Sequence, residues 1–364
     1  MKEKSRDHIG WIDLAKGICI LLVVFHHSIQ SVYLLPDMPL SGITATAAKL
    51  YELLSIKLVP IRMPLFFMIS GFLVYRGVTR YQWDQVGFKR IQTIWYVYLL
   101  WSIIQWLAIG LIVYSSGAAV PGHSAMLSAF ATNITDFTVL TLTGSSSLWY
   151  LYALPAYFII CKLLSSKPWL ALSFFLICYG LSSYYQLQFP TSSIVKNGIY
   201  YAIGVFFCPV LFPLINHISH KAFLFIAGLL GIKIGLGLLE VDIHLINTLL
   251  FVSIMVFFIN WLQDVVDIPI MRWIGKNTLA IYIIHYVLLK MLAFIIVPWL
   301  IAQGFFAQQA FVTVWYLTAP VLAVAFMTGG SLLIWHCTNV GVGRYLYASP
   351  RHLTAPLRAA WQSR

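Results

Sequence analysis

The chain has 364 residues, of which 60% are hydrophobic, 16% aromatic and only 9% charged. This composition lies outside the range of soluble domains and predicts a polytopic membrane protein. The formal net charge of +12 comes from Lys and Arg residues that are scattered over many short loops. Such scatter argues against nucleic-acid binding, which clusters basic residues on one segment or face.

Hydropathy predicts a single all-α bundle of about ten transmembrane helices. In chain order they are expected at residues 11–33, 60–75, 91–114, 148–164, 168–185, 198–215, 222–239, 245–262, 274–300 and 311–336. The second and fourth are short, and short spans are tolerated where they line a protein-enclosed cavity. We expect one domain over residues 1–364, with a membrane core at 11–340 and a basic cytoplasmic tail at 341–364.

The distribution of positive charge predicts the orientation of the bundle. If the N-terminus is cytoplasmic and the helices alternate, most Lys and Arg residues fall on the cytoplasmic side. The exceptions within spans are Lys16, Lys233 and Lys290, and those on the outer side are Lys49, Lys57, Arg62 and Lys196. Both termini are therefore predicted to be cytoplasmic.

The first predicted helix carries two ionisable residues on one face. Lys16 and His27 are three turns plus about 20° apart, so they share a stripe about 16 Å long. Ile20 and Val23 lie between them on this stripe, and Asp13 stands within about 60° of it. Ionisable residues inside a membrane are costly unless they meet a partner or a cavity, and they mark functional sites. The stripe is predicted to face the interior of the bundle.

Two interpretations are open for each of these residues. His27 is either a catalytic residue or the donor of one structural hydrogen bond. Lys16 either binds a phosphate or pairs with Asp13 near the cytoplasmic end of the helix. His26 points about 100° away from His27, and we expect it to satisfy a backbone carbonyl.

The second predicted helix contains the run Arg62-Met-Pro-Leu-Phe-Phe-Met-Ile-Ser-Gly. Arg62 lies near the outer edge and is interpreted as a snorkelling interface residue. The Ser70-Gly71 pair lets either another helix or a ligand approach the backbone closely. Ser70 is therefore a candidate substrate-binding residue.

The cytoplasmic loop after this helix is basic, with Arg76, Arg80, Lys89 and Arg90. Loop cations are an ordinary topology signal, but they also suit the phosphates of a donor that enters from the cytoplasm. We treat these four residues, with Lys16, as candidate donor-binding residues.

Aromatic residues open the fourth predicted helix at its outer end, in the run Ser147-Leu-Trp-Tyr-Leu-Tyr. Aromatic side chains at this depth either anchor the helix at the interface or form a platform for a sugar ring. Trp149 and Tyr150 are candidate substrate-binding residues on the second interpretation.

A further histidine lies in the run Ile274-Gly-Lys-Asn-Thr-Leu-Ala-Ile-Tyr-Ile-Ile-His. This run begins near the inner surface, so His285 lies about 16 Å into its span. That depth matches the depth of His27. Two histidines at one depth on different helices predict a shared site, with a structural hydrogen bond of His285 as the alternative.

Taken in order, these motifs resemble the acyltransferase 3 family of bacterial inner-membrane proteins. The resemblance rests on a basic residue followed after ten positions by histidine, and on the runs Met-Pro-Leu-Phe-Phe-Met-Ile-Ser-Gly-Phe, Leu-Trp-Tyr-Leu and Ile-Gly-Lys-Asn-Thr-Leu-Ala-Ile-Tyr-Ile-Ile-His. Family members typically have arginine where this chain has Lys16, although a branch that resembles fucose O-acetylases has Lys-Gly as here. Lysine keeps the charge but lacks the bidentate fork of arginine.

The resemblance implies a multi-pass protein of the bacterial inner membrane that transfers an acetyl or other short acyl group. The donor is cytoplasmic acyl-CoA, with acetyl-CoA as co-substrate and no metal, and the acceptor is a hydroxyl of a cell-envelope glycan or its lipid-linked precursor. The expected catalytic residues are His27, Lys16 and His285. Membrane lipids are expected to surround the protein. His27 takes the proton of the attacking hydroxyl or itself carries the acyl group, and both routes stay open. The competing hypothesis is a transporter or exporter of a small sugar or anionic substrate.

Overall fold

The protein folds as an assembly of helices. The computed structural model describes the backbone of residues 3–119, 127–215, 220–238 and 244–350, and its side chains except those of 3–9, 88–89, 214–215 and 220–223. No β-strand occurs within these segments. The all-α class predicted from the composition is confirmed.

The helices follow one another with short connections. The first eight are α1 (Glu3–Ser28), α2 (Gly42–Lys57), α3 (Val59–Thr79), α4 (Trp83–Gly87), α5 (Thr93–Ser116), α6 (Ile134–Leu142), α7 (Trp149–Leu163) and α8 (Pro168–Tyr184). The remainder are α9 (Thr191–Phe206), α10 (Cys208–Ile215), α11 (His220–Leu238), α12 (His244–Val265), α13 (Pro269–Lys276), α14 (Thr278–Met291), α15 (Val297–Ala302) and α16 (Gln309–Thr338). Short π-helical segments extend α1 to Tyr33, precede α5 and join α14 to α15.

Six helical segments of the described chain are long and apolar enough to cross a membrane. They are Gly10–Tyr33, Gly42–Thr79, Trp83–Ser116, His244–Val265, Thr278–Ala302 and Gln309–Thr338. In hydrocarbon every backbone amide and carbonyl must be satisfied internally, and a continuous helix does this. Shorter apolar helices occur at Trp149–Leu163, Pro168–Tyr184 and Leu224–Leu238.

The structure differs from the predicted helices at several places. The stretch between the first two predicted helices contains the helix α2, and the stretch between the third and fourth contains α6. Asn133 caps α6 by accepting a 2.8 Å hydrogen bond from the Asp136 amide. The predicted helix over 274–300 is interrupted at Asn277, between α13 and α14. The sixth predicted helix, expected from residue 198, begins earlier, at Thr191.

Two glycine contacts fix how the central helices pack. Gly17 on α1 lies against Gly275 on α13, where an added Cβ at Gly275 would meet the carbonyl oxygen of Asp13. Gly71 on α3 and Gly204 on α9 are related in the same way, because each would clash with the backbone of the other helix if it had a side chain. Small residues allow membrane helices to approach to backbone contact.

Lys162, near the end of α7, holds the end of α3 in place. Its ammonium donates hydrogen bonds to the carbonyl oxygens of Gly77 at 3.0 Å, Val78 at 3.3 Å and Tyr81 at 2.6 Å. A cation at a helix C-terminus satisfies carbonyls that have no partner within the helix. The buried Lys162 therefore anchors the start of the basic loop that contains Arg80.

The segment after α16 packs back on the bundle. Residues 341–346 form a 3₁₀ helix, and the Trp101 indole donates a 2.7 Å hydrogen bond to the carbonyl oxygen of Leu346. Residues 351–364 of the predicted basic tail lie outside the described part of the chain.

Candidate active site

The two histidines predicted to share a site lie side by side. His27 is ten residues beyond Gly17, and His285 is ten residues beyond Gly275. Because these glycines are in contact and α1 also packs against α14, the two histidines reach the same level. Their ring centroids are 5.6 Å apart, at an interplanar angle of 34°.

The hydrogen bonding of His285 defines its tautomer. Its Nδ1 lies 2.9 Å from the carbonyl oxygen of Ile281. A carbonyl only accepts hydrogen bonds, so Nδ1 carries the proton and Nε2 of the neutral ring is an acceptor. That Nε2 is buried and has no hydrogen-bond partner among the described residues. The structural hydrogen bond considered for His285 is thus present, and it leaves one nitrogen unused.

A cavity of about 580 Å³ lies against His27. His285 is 2% exposed and does not line it, so His285 lies behind His27. The ionisable residues lining the cavity are His26, His27, Arg62, Lys196, His244 and Lys290, and its aromatic residues are Trp149, Tyr179, Phe189, Tyr200, Tyr282 and Tyr286. No acidic residue is among the described lining residues.

His26 belongs to the same cavity. The expectation that it satisfies a backbone carbonyl is wrong, because its Nδ1 lies 2.7 Å from the hydroxyl oxygen of the buried Ser55 on α2. Its ring centroid is 5.6 Å from that of His27. Helix α2 therefore holds His26 from one side, while α14 places His285 beside His27 from the other.

The cations of the cavity are held in different ways. Arg62 is only 8% exposed, so the interpretation of this residue as a snorkelling side chain is wrong. Its Nη1 is buried, and no described residue forms a hydrogen bond with it. The Lys290 ammonium lies 5.0 Å from the ring centroid of Tyr286 and 5.4 Å from that of Phe130, at distances typical of cation–π interactions. Both cations keep hydrogen-bonding capacity that a ligand can use.

The candidate substrate-binding residues separate into two groups. Trp149 lines the cavity. Tyr150 and Ser70 do not line it, and their hydroxyls instead bond to each other at 2.6 Å. The Ser70 hydroxyl also lies 2.8 Å from the Phe66 carbonyl oxygen. The structure thus brings Trp149 to the cavity that His27 lines and joins Ser70 to Tyr150 as a link between α3 and α7.

Tyr282 ties two of the sequence motifs together. Its hydroxyl donates to the carbonyl oxygen of Ser147 at 3.0 Å and accepts from the Tyr150 amide at 3.2 Å. The start of α7 is thereby attached to α14 one turn before His285. This attachment explains how Trp149 comes to lie near the histidines although the two motifs are distant in sequence.

The candidate donor-binding residues lie away from the histidines. The Lys16 ammonium pairs with the Asp13 carboxylate at 3.1 Å, so the ion pair left open by the sequence is present. Arg76 and Arg80 are exposed at the end of α3, and Arg90 is partly buried. The side chain of Lys89 lies outside the described residues. Because α1 and α3 pack together, Lys16 and Arg76 belong to neighbouring helices.

Several residues of the cavity were not singled out from the sequence. Lys290 is an intramembrane cation one helical turn from Tyr286. This position is the sequence signal by which Lys290 could have been identified as a site residue. Lys196 and His244 carry no local signal, because they meet the cavity only through the packing of α9 and α12. Within the described residues no group of three His, Cys, Asp or Glu side chains is placed to hold a metal ion.

The apolar helices long enough to span a membrane, with ionisable residues around a cavity, place the chain among polytopic integral membrane proteins. A family model described as an acyltransferase domain matches residues 9–336, and the chain belongs to this acyltransferase 3 family. A curated relative, the inner membrane protein YcfT of Escherichia coli (strain K12), is 28% identical over 360 residues, which cover 96% of this chain and 97% of YcfT. No solved structure matches the chain. The predicted family and the multi-pass inner-membrane location are confirmed.

Proposed function

We propose that the protein transfers an acetyl or other short acyl group from cytoplasmic acyl-CoA to a hydroxyl of an envelope glycan or its lipid-linked precursor. The observation that carries this proposal is the position of His27, which faces a cavity while His285 lies directly behind it. A neutral imidazole at the wall of a cavity is suited to general base or nucleophilic catalysis.

The proposal includes an orientation and a span count. Together with the six long segments, the helical regions 149–163, 168–184, 191–215 and 220–238 complete ten crossings. An even number places both termini in the cytoplasm, in agreement with the distribution of Lys and Arg. The cavity then opens toward the outer side, because Lys196 lies in the second turn of α9 and His244 begins α12, and both helices start there. Residues 11–340 form one membrane domain, followed by the cytoplasmic tail at 341–364.

His27 and His285 have different roles in the proposed reaction. When the acceptor hydroxyl attacks the acyl carbonyl carbon, the carbon–sulfur bond of the thioester breaks and the hydroxyl proton passes to His27. The proton then leaves with the thiol of the donor. His285 is a positioning residue, because its free Nε2 can accept a hydrogen bond from His27 and so fix which nitrogen of His27 is basic. The route through an acyl-histidine uses the same nitrogen as nucleophile.

The donor is proposed to approach from the opposite end of α1. Lys16 lies about 16 Å from His27 along the helix, a separation that an extended acyl-carrying arm would bridge. Arg76, Arg80, Lys89 and Arg90 are proposed to contact the donor phosphates. Trp149 is proposed to contact the acceptor. Because the Ser70 and Tyr150 hydroxyls bond to each other, we propose that this pair supports the cavity wall and does not contact the acceptor.

Purified protein in lipid nanodiscs tests the proposed function. We expect slow release of free thiol from acetyl-CoA without acceptor, and loss of this release in His27→Ala. Mass spectrometry of envelope glycans from cells with and without the gene should show acetyl groups that depend on the gene. Movement of sugar across vesicles without thiol release would instead support a transporter.

A further inference from the structure

A second cavity of about 450 Å³ lies among α3, α8, α9, α10, α11 and α12. Apart from Ser173 and Ser253, its lining is entirely apolar or aromatic. Ser253 uses its hydroxyl to bond the Leu249 carbonyl oxygen at 2.8 Å. A cavity of this chemistry between membrane helices suits a hydrocarbon chain and offers nothing to a sugar.

The apolar cavity and the cavity at His27 are stacked along the same helices. The first cavity is lined by Arg62 on α3, Tyr179 on α8, Lys196 on α9 and His244 on α12. The second is lined by Met68, Leu172, Ile203 and Leu249 on the same four helices in turn. Each pair is separated by five to seven residues, which corresponds to about 7–10 Å of helix. With the alternating helix directions of the proposed topology, each of these four apolar residues lies farther from the outer side than its polar counterpart.

A belt of hydroxyl groups marks the boundary between the two cavities. The hydroxyl of Tyr200 lies close to the hydroxyls of Tyr179 and Thr248. The Thr248 hydroxyl lies 3.0 Å from Nδ1 of His244. Tyr179, Tyr200 and His244 line the polar cavity, and their helical neighbours Leu176, Ile199 and Leu245 line the apolar one. The change from polar to apolar lining thus takes place within about one helical turn.

The polar side of this boundary is cationic. Arg62 is more than nine-tenths buried and lines the cavity, and its Nη1 has no hydrogen-bond partner in the described part of the chain. A buried guanidinium nitrogen without a partner carries a desolvation cost that an anionic ligand would remove. Because the described lining also contains Lys196 and Lys290 and no carboxylate, the complementary ligand group is an anion.

We propose that the two cavities form one site for a lipid phosphate that carries the acceptor sugar, with its hydrocarbon chain in the apolar cavity and its phosphate facing Arg62. This inference rests on the proposed function and narrows its acceptor to the lipid-linked form. In the proposed orientation a lipid of the outer leaflet has its head outward and its chain toward the bilayer centre, which is the order of the two cavities. A free glycan would leave the apolar cavity unused.

Binding of farnesyl phosphate, a single-chain lipid phosphate, tests the inference without requiring acyl transfer. The full-length protein is placed in nanodiscs of phosphatidylethanolamine and phosphatidylglycerol, so that bulk lipids compete throughout. Nanodiscs without protein correct for partition into the bilayer. We expect saturable binding to the protein, with farnesol and inorganic phosphate each weaker by at least about tenfold.

Variants separate the chain from the head. Ser173→Phe and Leu249→Phe fill the apolar cavity at positions that are not buried, and each should weaken farnesyl phosphate at least about tenfold. Ile254→Phe is the matched control, because Ile254 is 47% exposed on α12 and does not line the cavity. Arg62→Gln should weaken farnesyl phosphate about tenfold while leaving farnesol binding unchanged.

The inference is overturned if no saturable binding exceeds that of protein-free nanodiscs, or if Ser173→Phe, Leu249→Phe and Ile254→Phe bind alike. It is equally overturned if added phosphatidylglycerol displaces the probe as well as unlabelled farnesyl phosphate does, because the cavity then holds bulk lipid. Acetyl-CoA hydrolysis by the wild-type protein is measured in parallel. Hydrolysis without probe binding rejects the inference alone, whereas probe binding without hydrolysis rejects acyl transfer and keeps the lipid site.

Discussion

Replacing His27 by alanine should abolish most acyl transfer while leaving the fold intact. General acid–base catalysis by a positioned side chain contributes about 10²–10⁴-fold, which corresponds to about 2.7–5.5 kcal/mol of transition-state stabilisation. His27 lines the cavity, and among the described histidines it is the one whose ring contacts that of His285. We therefore expect a loss of this size in His27→Ala.

The matched control is His26→Ala. His27 contributes ring contacts with His285 and Tyr286, at centroid distances of 5.6 Å and 6.2 Å, and such pairs stabilise by about 0.5–1.5 kcal/mol each. His26 contributes its hydrogen bond with Ser55, whose net value is about 0.5–1.5 kcal/mol. The contacts of His27 sum to about 1–3 kcal/mol against about 0.5–1.5 kcal/mol for His26, so activity is compared per folded protein, with thermal unfolding as the measure of folding.

Thiol release from acetyl-CoA, thermal unfolding in detergent and protein abundance should be measured on both variants. We expect His26→Ala to keep at least about a tenth of wild-type activity, since it removes no group assigned to the chemistry. Equal losses in both variants, or a collapse of abundance confined to His27→Ala, would refute the catalytic assignment. His285→Ala combined with His27→Ala should lose little more than His27→Ala alone, because a positioning residue acts through the residue it orients.

Three further outcomes are expected. Lys16→Gln should weaken acetyl-CoA binding by about 1.5–3 kcal/mol in titrations, whereas Lys16→Arg should keep most of the affinity. Adding Asp13→Asn to Lys16→Gln should not restore activity. Restored activity would mean that the ion pair has a purely structural role. Gly275→Ala should destabilise the protein by about 1–3 kcal/mol in thermal unfolding, whereas Gly180→Ala, whose Cβ would meet no atom, should not. A reporter fused after Arg364 should be active only in the cytoplasm, and activity only outside would reverse the assigned donor side.

The positions of the long helices were predictable because a span is encoded locally. A run of about 20 apolar residues must become a helix in hydrocarbon, whatever it packs against. The start of α5 at Thr93 and the end of α16 at Thr338 each lie within two residues of the predicted limits. Helix α2 was missed because its residues are only weakly apolar, and its position depends on contacts such as the 2.8 Å hydrogen bond from the Tyr51 hydroxyl to the Leu317 carbonyl oxygen.

The cations of the cavity were harder to predict because burial is a property of the whole bundle. Arg62 has the sequence position of a snorkelling residue, and a local rule assigns it to the interface. The bundle instead buries it against the cavity, with Lys196 from α9 and His244 from α12 brought there by packing. Gly204 marks the face of α9 that contacts α3, but it does not place Lys196 at the cavity, and α12 carries no comparable feature.

The shared level of the two histidines was predictable because helical rise converts sequence distance into depth. Gly17 and Gly275 are each ten residues before a histidine, and their backbone contact sets the two helices in register about 15 Å below the rings. The depth argument could not show that the rings face each other, since Asn277 interrupts the helix between Gly275 and His285. The attachment of the Tyr282 hydroxyl to Ser147 and Tyr150 adds the missing rotational constraint on α14. The proposed site therefore depends on a glycine contact that sets depth and a tyrosine contact that sets rotation, and only the first leaves a readable spacing in the sequence.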